Sequence, residues 1–273
     1  MNQQPSARLT VPGGELTVRG SAATDRGAVR RVNEDSFLVR LPVFLVADGM
    51  GGHQFGDRAS QTVVATFAEL FPDPRPVTQD AVLEAIETSN DAVLGLVEAG
   101  SAPGTLAGTT LTGVALVTEP EDPSGALRWM VFNVGDSRVY SWDGRALAQL
   151  TVDHSAVQQL VDLGLITQAQ AAVHPERNLI TRAVGADADV DADAWLLPVD
   201  GRQLFLACSD GLIKELGDDT IAAIVQEHAG RDVESLAQRL VATAVDAGGS
   251  DNVTVVVIET LLEPALVDPA AHG

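Results

Sequence analysis

Three apolar runs in this chain carry an aspartate at one end. Asp48 follows VFLVA, Asp210 follows LFLACS, and Asp251 precedes NVTVVVI. Apolar runs of this kind predict buried strands. A carboxylate at the end of a buried strand is costly unless an opposite charge pairs with it. The sequence therefore predicts a fold that brings the three carboxylates together around cations, as in a metal-dependent enzyme.

Composition narrows the classes of protein that the chain can belong to. Its 273 residues carry a formal net charge of −21, which argues against a nucleic-acid surface. Solubility accounts for most of this charge. A few carboxylates are nevertheless candidate cation ligands, and oxygen ligands suit Mg²⁺ or Mn²⁺ better than zinc.

The cysteine content and the start of the chain bear on where the protein works. Cys208 is the only cysteine, so no internal disulfide forms, and its apolar surroundings predict a buried, inert thiol. The first residues, MNQQPSARLT, lack the apolar core of a signal peptide, and no apolar run is long enough to span a bilayer. We expect a cytoplasmic protein, with a longer parent chain anchored beyond residue 273 as the alternative.

The order of predicted elements indicates the fold class. Strands are predicted near residues 17–23, 36–40, 43–47, 109–117, 127–134, 137–142, 146–150, 194–199, 203–208 and 253–260. Helices are predicted at 56–70, from about 78, at 219–228 and at 232–247. The strands cluster without a strict strand–helix alternation, which favours an α+β architecture. We expect a four-layer α-β-β-α sandwich, with two packed, mostly antiparallel sheets flanked by helix pairs.

No linker divides the chain, so one domain is predicted over residues 17–262. Residues 1–16 are polar and interrupted by Pro12 and the Gly13–Gly14 pair, which predicts a flexible N-terminal arm. Residues 263–273 are predicted to be a frayed tail. Residues 153–185 hold two short helical pieces outside the sheet pattern and are predicted to form a flap.

Taken one at a time, the aspartate motifs are typical of ordinary turns. In Asp48-Gly49-Met50-Gly51-Gly52 the glycines are suited to positive φ, and the alternative is a backbone that approaches an ion closely. Gly135-Asp136-Ser137 joins two predicted strands, as an aspartate turn commonly does. The alternating aspartates over 187–193 are better interpreted as a solvated acidic turn than as a calcium loop.

Taken together and in order, eight segments carry a family resemblance. They are TDRGAVRRVNED, LVADGMGGH, AGTTL, NVGDSRVY, LTVDH, LITRAVG, LACSDG and SDNVTVVV. In this order they resemble the metal-dependent serine/threonine protein phosphatases of type 2C (PPM), and the bacterial branch in particular, over roughly residues 20–260. The predicted single domain is then a type 2C phosphatase domain.

The resemblance implies a site with two Mn²⁺ or Mg²⁺ ions bridged by a water. Asp48 matches the aspartate that bridges both ions, and Gly49 matches a backbone-carbonyl ligand. Asp210 and Asp251 match the other direct carboxylate ligands. Asp136, together with Asp210, matches the ligands of a more weakly held third ion.

The same resemblance implies roles for residues around the ions. Glu34 and Asp35 match acids that hold metal-bound waters. Arg30 matches the arginine that grips the substrate phosphate; the neighbouring Arg31 is the alternative, and the spacing to Glu34 favours Arg30. Arg30, Asp48 and Asp210 are thus the expected catalytic residues. Met50 stands where animal relatives have a candidate acid, a histidine.

The implied reaction is hydrolysis of phosphoserine and phosphothreonine by direct attack of the bridging water, opposing bacterial serine/threonine kinases. The expected partners are these kinases and their phosphorylated substrates, and a monomer is expected. The flap is expected to influence substrate choice. One alternative is a phosphatase-like regulatory or phosphoprotein-binding protein with little activity. Another is a phosphatase that acts on anti-sigma-factor antagonists.

Overall fold

The computed structural model describes residues 6–51, 55–97, 106–119, 125–228 and 232–264. Within these ranges the strands are β1 Ser6–Val11, β2 Gly14–Asp25, β3 Asp35–Arg40, β4 Val43–Met50, β5 Val77–Thr78, β6 Gly108–Thr109, β7 Leu111–Thr118, β8 Leu127–Val134, β9 Arg138–Trp142, β10 Leu147–Gln149, β11 Asp193–Pro198, β12 Arg202–Cys208 and β13 Val253–Pro264. The helices are α1 Gly56–Leu70, α2 Gln79–Leu94, α3 Ala156–Asp162, α4 Gln168–Ala171, α5 Asp210–Glu215, α6 Asp218–His228 and α7 Val233–Ala247.

The strands form two sheets. One sheet has the order β1-β2-β13-β12-β9-β10, and all of its neighbouring strands are antiparallel. The other has the order β11-β8-β7-β4-β3, with β6 beside β4 and the short β5 parallel to β7. The prediction of two mostly antiparallel sheets is therefore confirmed.

Three hydrophobic cores separate the layers. Strand β4 shows the principle, because successive side chains of a strand point to opposite faces. Val43 and Leu45 pack in the core beneath α1 and α2, whereas Phe44 and Val46 pack in the core between the sheets. A third core joins the other sheet to α5, α6 and α7. Burial on both faces explains the nearly continuous apolar runs, and the predicted four-layer sandwich is confirmed.

A polar residue in the buried face of α2 links this helix to the loop before β11. The side chain of Asn90 donates to the backbone carbonyls of Asp187 and Ala188 at 2.9 and 3.2 Å. Its oxygen accepts from the backbone N–H of Gly185 at 2.7 Å. The polar interruption of the apolar stripe therefore fastens the end of the predicted flap to the helical layer.

The predicted flap contains the two short helices α3 and α4. Thr167 caps α4, and its pairing with Gln170 forms the capping box that the sequence predicts. At its base, His154 accepts a hydrogen bond from the N–H of Gly135 through Nδ1 at 3.1 Å. The Nε2 of the same ring lies 3.2 Å from Asp193 Oδ2. The buried imidazole therefore joins the base of the flap to the turn before Asp136.

The prediction of a flexible N-terminal arm is wrong for residues 6–16. Ser6–Val11 form the edge strand β1, which pairs antiparallel with β2 from Ser6 opposite Arg19 to Val11 opposite Gly14. Gly13, with φ of 97°, supplies the left-handed residue of the intervening turn. Gly13, which suggested a break in regular structure, instead lies in the turn of the β1–β2 hairpin. At the other end, Glu263 and Pro264 belong to β13, and the rest of the predicted tail lies outside the described residues.

In the part of the chain that the structure describes, no helix is long and apolar enough to cross a membrane.

Candidate active site

The ends of strands from both sheets meet at one cleft of about 1150 Å³. Asp48 comes from β4 of one sheet. Asp210 begins α5 one residue beyond the end of β12, and one residue separates Asp251 from the start of β13, so both lie at strand ends of the other sheet. Asp136, in the turn between β8 and β9, lines the same cleft. The carboxylates that the sequence singled out are thus brought together.

The other predicted site residues surround this group. Arg30, Glu34 and Gly49 line the cleft. Asp35 lies beside Asp48, its partner across β3 and β4, but is buried behind the cleft wall. Met50 also lines the cleft. This is the position at which animal relatives have a histidine, and the methionine side chain cannot donate a proton.

Two threonines of the AGTTL motif fix the backbone of Asp48. The Asp48 N–H donates to Thr110 Oγ1 at 3.0 Å. The Asp48 carbonyl accepts from the Thr110 N–H and from Thr109 Oγ1, both at 2.9 Å. Thr110 Oγ1 also lies 2.7 Å from Ser137 Oγ, next to Asp136. One buried threonine therefore sets the position of Asp48 relative to the turn that carries Asp136.

Packing explains why residue 49 is a glycine. A Cβ at Gly49 would lie 2.0 Å from the carbonyl oxygen of Gly56 and 2.7 Å from that of Glu34. The Gly49 N–H donates to the same Glu34 carbonyl at 3.2 Å. The positive φ expected in this motif occurs at Gly51, at 136°. Gly49 is thus needed for the close approach of three backbone segments.

Burial and mutual repulsion raise the pKa of most carboxyls in the group. Burial, opposed by hydrogen bonds from Ser209 and Thr254 and reinforced by Asp210, raises the pKa of Asp35 to about 7. Burial and then Asp210 raise the pKa of Asp136 to about 7. Burial, Asp35 and Asp210 raise the pKa of Asp48 well above its ordinary value.

The neighbouring cations and hydrogen-bond donors do not fully balance the negative charge of these carboxyls when they are ionised. Oδ1 of Asp35 and Oδ1 of Asp210 are buried and find no hydrogen-bond partner among the described residues. Buried, unpartnered carboxylate oxygens are costly, and divalent cations with a preference for oxygen ligands relieve that cost. The donor set therefore fits Mg²⁺ or Mn²⁺.

Side-chain cations already contact two of the predicted ligands. Lys214 Nζ lies 2.5 Å from Asp210 Oδ2 and 2.7 Å from Asp251 Oδ2. Arg30 Nε lies 2.7 Å from Asp251 Oδ1, and its Nη2 donates to Asp251 Oδ2 at 2.9 Å. These nitrogens stand in for part of the positive charge that the carboxylates attract. With these side-chain cations in place, the described residues contain no group of three His, Cys, Asp or Glu side chains close enough together to hold a metal ion.

The same contacts separate Asp251 from the other carboxyls. Burial acts to raise the pKa of Asp251, but the hydrogen bonds from Lys214 and Arg30 lower it on balance. For Asp210, burial prevails over Lys214 and the pKa is raised. The hydrogen bond to Asp251 is also the main reason why the pKa of Arg30 is raised.

The sequence did not single out three residues that organise the site. Ser209 Oγ donates to Asp35 Oδ2 at 2.8 Å and accepts from the Thr254 N–H at 2.9 Å. Asn252 holds the loop before β3 through its side chain. Lys214 is the third, and a sequence signal did exist for it, because residues four apart on a helix are neighbours and Lys214 follows Asp210 by four.

Comparison with known proteins identifies the family to which the chain belongs. Residues 19–244 match the family model described as protein phosphatase 2C. The chain is similar to the serine/threonine protein phosphatase PstP of Mycobacterium tuberculosis, with 37% identity over 247 residues that make up 90% of this chain and 46% of the relative. The chain thus spans less than half the length of that relative.

A shorter relative and a solved structure agree. The serine/threonine phosphatase Stp of Listeria welshimeri is 31% identical over 246 residues, which cover 86% of this chain and 93% of that protein. The crystal structure of the PstP catalytic domain in complex with two manganese ions matches with a TM-score of 0.77 and 36% identity, over 90% of this chain and 99% of that one. The chain therefore belongs to the protein phosphatase 2C family, as its motifs predict.

Proposed function

We propose that this chain is a metal-dependent protein serine/threonine phosphatase that uses Mn²⁺ or Mg²⁺. The observation that carries the proposal is the convergence of Asp48, Asp210 and Asp251 on one cleft. There Oδ1 of Asp210 is buried and has no hydrogen-bond partner among the described residues. Membership of the family and the names of the relatives support the proposed reaction. The similar structure that contains two manganese ions supports the proposed cofactor.

Each residue has a proposed role toward the ions. Asp48 would hold both ions, and Asp210, Asp251 and the Gly49 carbonyl would be the other direct ligands. Glu34 and Asp35 would hold the waters around the ions, and Asp136 with Asp210 would hold a third ion. When bound, the ions lower the pKa of a coordinated water and neutralise phosphate oxygens. The threonines that fix Asp48 keep its carboxylate in place during turnover.

Arg30 is the proposed phosphate ligand, because a guanidinium fork binds two phosphate oxygens. Both oxygens of Asp251 accept from this fork in the structure. Arg30 must therefore exchange Asp251 for the phosphate. Arg30 would leave Asp251 more readily when that carboxylate held a cation, since the cation and the guanidinium would compete for the same oxygens. Metal binding and phosphate binding are thus coupled through one carboxylate.

The wider context is also proposed. The substrates are phosphorylated proteins, and the chain opposes serine/threonine kinases as a cytoplasmic monomer. A single catalytic domain spans residues 17–262 and begins within the β1–β2 hairpin. The flap between residues 153 and 185 selects among substrates, because several of its residues line the same cleft as Arg30.

Hydrolysis of a phosphothreonine peptide and of para-nitrophenyl phosphate tests the proposal. Wild type should be active with Mn²⁺ or Mg²⁺, inactive in EDTA, and poor on a phosphotyrosine peptide. Asp48→Asn and Asp210→Asn should each lose about 100-fold or more in kcat/KM. Asp73→Asn, which changes an exposed aspartate that forms a salt bridge with Arg75, serves as the control.

Two outcomes would overturn the proposal. Activity that survives EDTA would exclude the metal mechanism, as would an unaffected Asp210→Asn. A wild-type protein that binds phosphopeptides and Mn²⁺ without hydrolysing them would instead indicate the regulatory alternative.

A further inference from the structure

Lys214 is the only lysine among the 273 residues, and the other 16 basic side chains are arginines. Its ammonium lies between the carboxylates of Asp210 and Asp251, at 2.5 and 2.7 Å. The side chain is only 28% exposed. The unique lysine is therefore placed at the cleft where carboxylates from two chain segments meet.

An ordinary helix salt bridge does not describe this contact. Lysine and aspartate four residues apart on an exposed helix stabilise a protein weakly. Here Lys214 also reaches Asp251, which is 37 residues away in sequence. Both acceptors are largely buried, with 14% and 15% of their side chains exposed. Partial burial reduces solvent screening, so the ammonium interacts strongly with both.

We propose that Lys214 is a built-in counter-cation that competes with a divalent ion for Asp210 and Asp251. Without metal, the ammonium neutralises these two carboxylates. When the ion binds, the ammonium moves away from both oxygens toward solvent. The protein thereby binds the ion that these two residues share less tightly than its carboxylates alone would allow. This inference rests on the proposed metal site and extends it.

The neighbouring charges support competition rather than cooperation. The two Asp251 oxygens already accept from Arg30, so this carboxylate is surrounded by cations. Among the described residues, one buried oxygen of Asp210 has no hydrogen-bond partner, so the ammonium satisfies this carboxylate only in part. A divalent ion held by the same two carboxylates would repel the nearby ammonium.

Calorimetric titration of Mn²⁺ into the metal-free protein is the first test. Lys214→Gln should tighten Mn²⁺ binding about tenfold or more at one site, because a nearby positive charge is lost. Lys214→Arg keeps the charge and should stay close to wild type. Arg239→Gln removes the same charge from the exposed face of α7 and controls for net charge. Lys214→Gln should also lower the unfolding temperature in EDTA.

Amine acetylation of the unmodified protein is the second test, since it needs no variant. Cleavage at arginines places Lys214 in the peptide 203–231 and the N-terminal amine in the peptide 1–8, so mass spectrometry separates them. Acetylation of Lys214 should be slow in EDTA and several-fold faster with saturating Mg²⁺. The N-terminal amine is the internal control and should react equally in both conditions.

The outcomes separate this inference from the proposed function. If Mn²⁺ binds but Lys214→Gln binds it no tighter, or if Mg²⁺ leaves acetylation unchanged or slower, Lys214 does not compete and only the inference fails. If wild type shows no Mn²⁺ binding beyond that of Asp48→Asn, the proposed metal site fails and the inference fails with it.

Discussion

The side-chain oxygen of Asn252 accepts a hydrogen bond from the backbone N–H of Glu34 at 2.9 Å. The side-chain nitrogen donates to the carbonyls of Arg26 and Val32, both at 2.9 Å. One buried amide thus holds both ends of the loop that carries Arg30. Asn252 directly follows the predicted ligand Asp251, so its side chain ties the Arg30 loop to the segment that carries this ligand.

Asn252→Ala should therefore impair the protein in two ways. Three partly buried hydrogen bonds of the buried Asn252 side chain are lost, so the free energy of unfolding should fall by about 2–4 kcal/mol. Turnover of a phosphothreonine peptide should fall about tenfold or more, because the Arg30 loop is released. Urea unfolding and steady-state kinetics measure the two effects. Gln238→Ala, on the surface of α7, is the control, and equal behaviour of the two variants would contradict this role.

Gly49→Ala should destabilise the protein by about 1–3 kcal/mol or more, because its methyl group collides with two backbone carbonyls. Backbone atoms cannot move aside as the end of a flexible side chain can. A Cβ at Gly217 would meet no heavy atom within 4 Å, so Gly217→Ala is the matched control. That variant should stay within about 0.5 kcal/mol of wild type in urea unfolding. A Gly49→Ala protein of wild-type stability would refute the packing account.

The metal-free protein should lose stability as the pH rises from about 4 to about 7. Folding raises the pKa of Asp35 and of Asp136 from 3.8 to about 7, so the folded state binds more protons than the unfolded state in that window. Deprotonation then favours unfolding. Urea unfolding in EDTA across this range measures the effect.

Asp35→Asn is the matched variant for the pH experiment. Its amide oxygen can still accept from Ser209, but it carries no charge. Stability in EDTA at high pH should rise by on the order of a few kcal/mol, and the slope with pH should be shallower. Asp73→Asn, at an exposed site, should follow the wild-type curve. Wild-type stability that is flat or increases over this range would contradict the burial of uncompensated carboxyls.

Exchange of the flap should change substrate preference without changing the basic chemistry. Replacing residues 156–180 with those of the Listeria relative alters the cleft wall but leaves the carboxylates in place. The ratio of kcat/KM between two phosphothreonine peptides should change about tenfold, and their ranking with it, because contacts in the cleft discriminate between peptides. Hydrolysis of para-nitrophenyl phosphate, which lacks a peptide, is the control reaction. An unchanged ranking would show that specificity lies elsewhere.

Much of the fold follows from local pattern. Apolar runs and turn residues predicted most of the strands, and the Asp143-Gly144 turn between β9 and β10 is present as expected. The β1 strand escaped prediction although Ser6–Val11 alternate strictly between polar and apolar residues, and their exposure alternates in step. The strand is short and none of its residues is fully buried, and Pro12 and Gly13 of its hairpin turn suggested a break in the chain.

The site was predictable to the extent that its motifs stay local in sequence. Asp48, Asp210 and Asp251 each stand beside a recognisable strand. Asn252 and Lys214 owe their importance to partners that the fold supplies, since the Asn252 contacts with the Arg30 loop span about 220 residues. No local pattern specifies such a contact.

The division of the carboxylates between the two sheets has a consequence for how the site is built. Asp48 belongs to one sheet, and Asp210 and Asp251 lie beside the ends of β12 and β13 of the other. The gap between them is therefore fixed by the side chains sandwiched between the sheets, such as Phe44, Trp129 and Phe205. The size and packing of these rings set the distance between the two sheets. The centre can thus be tuned by substitutions that never touch solvent, substrate or ion.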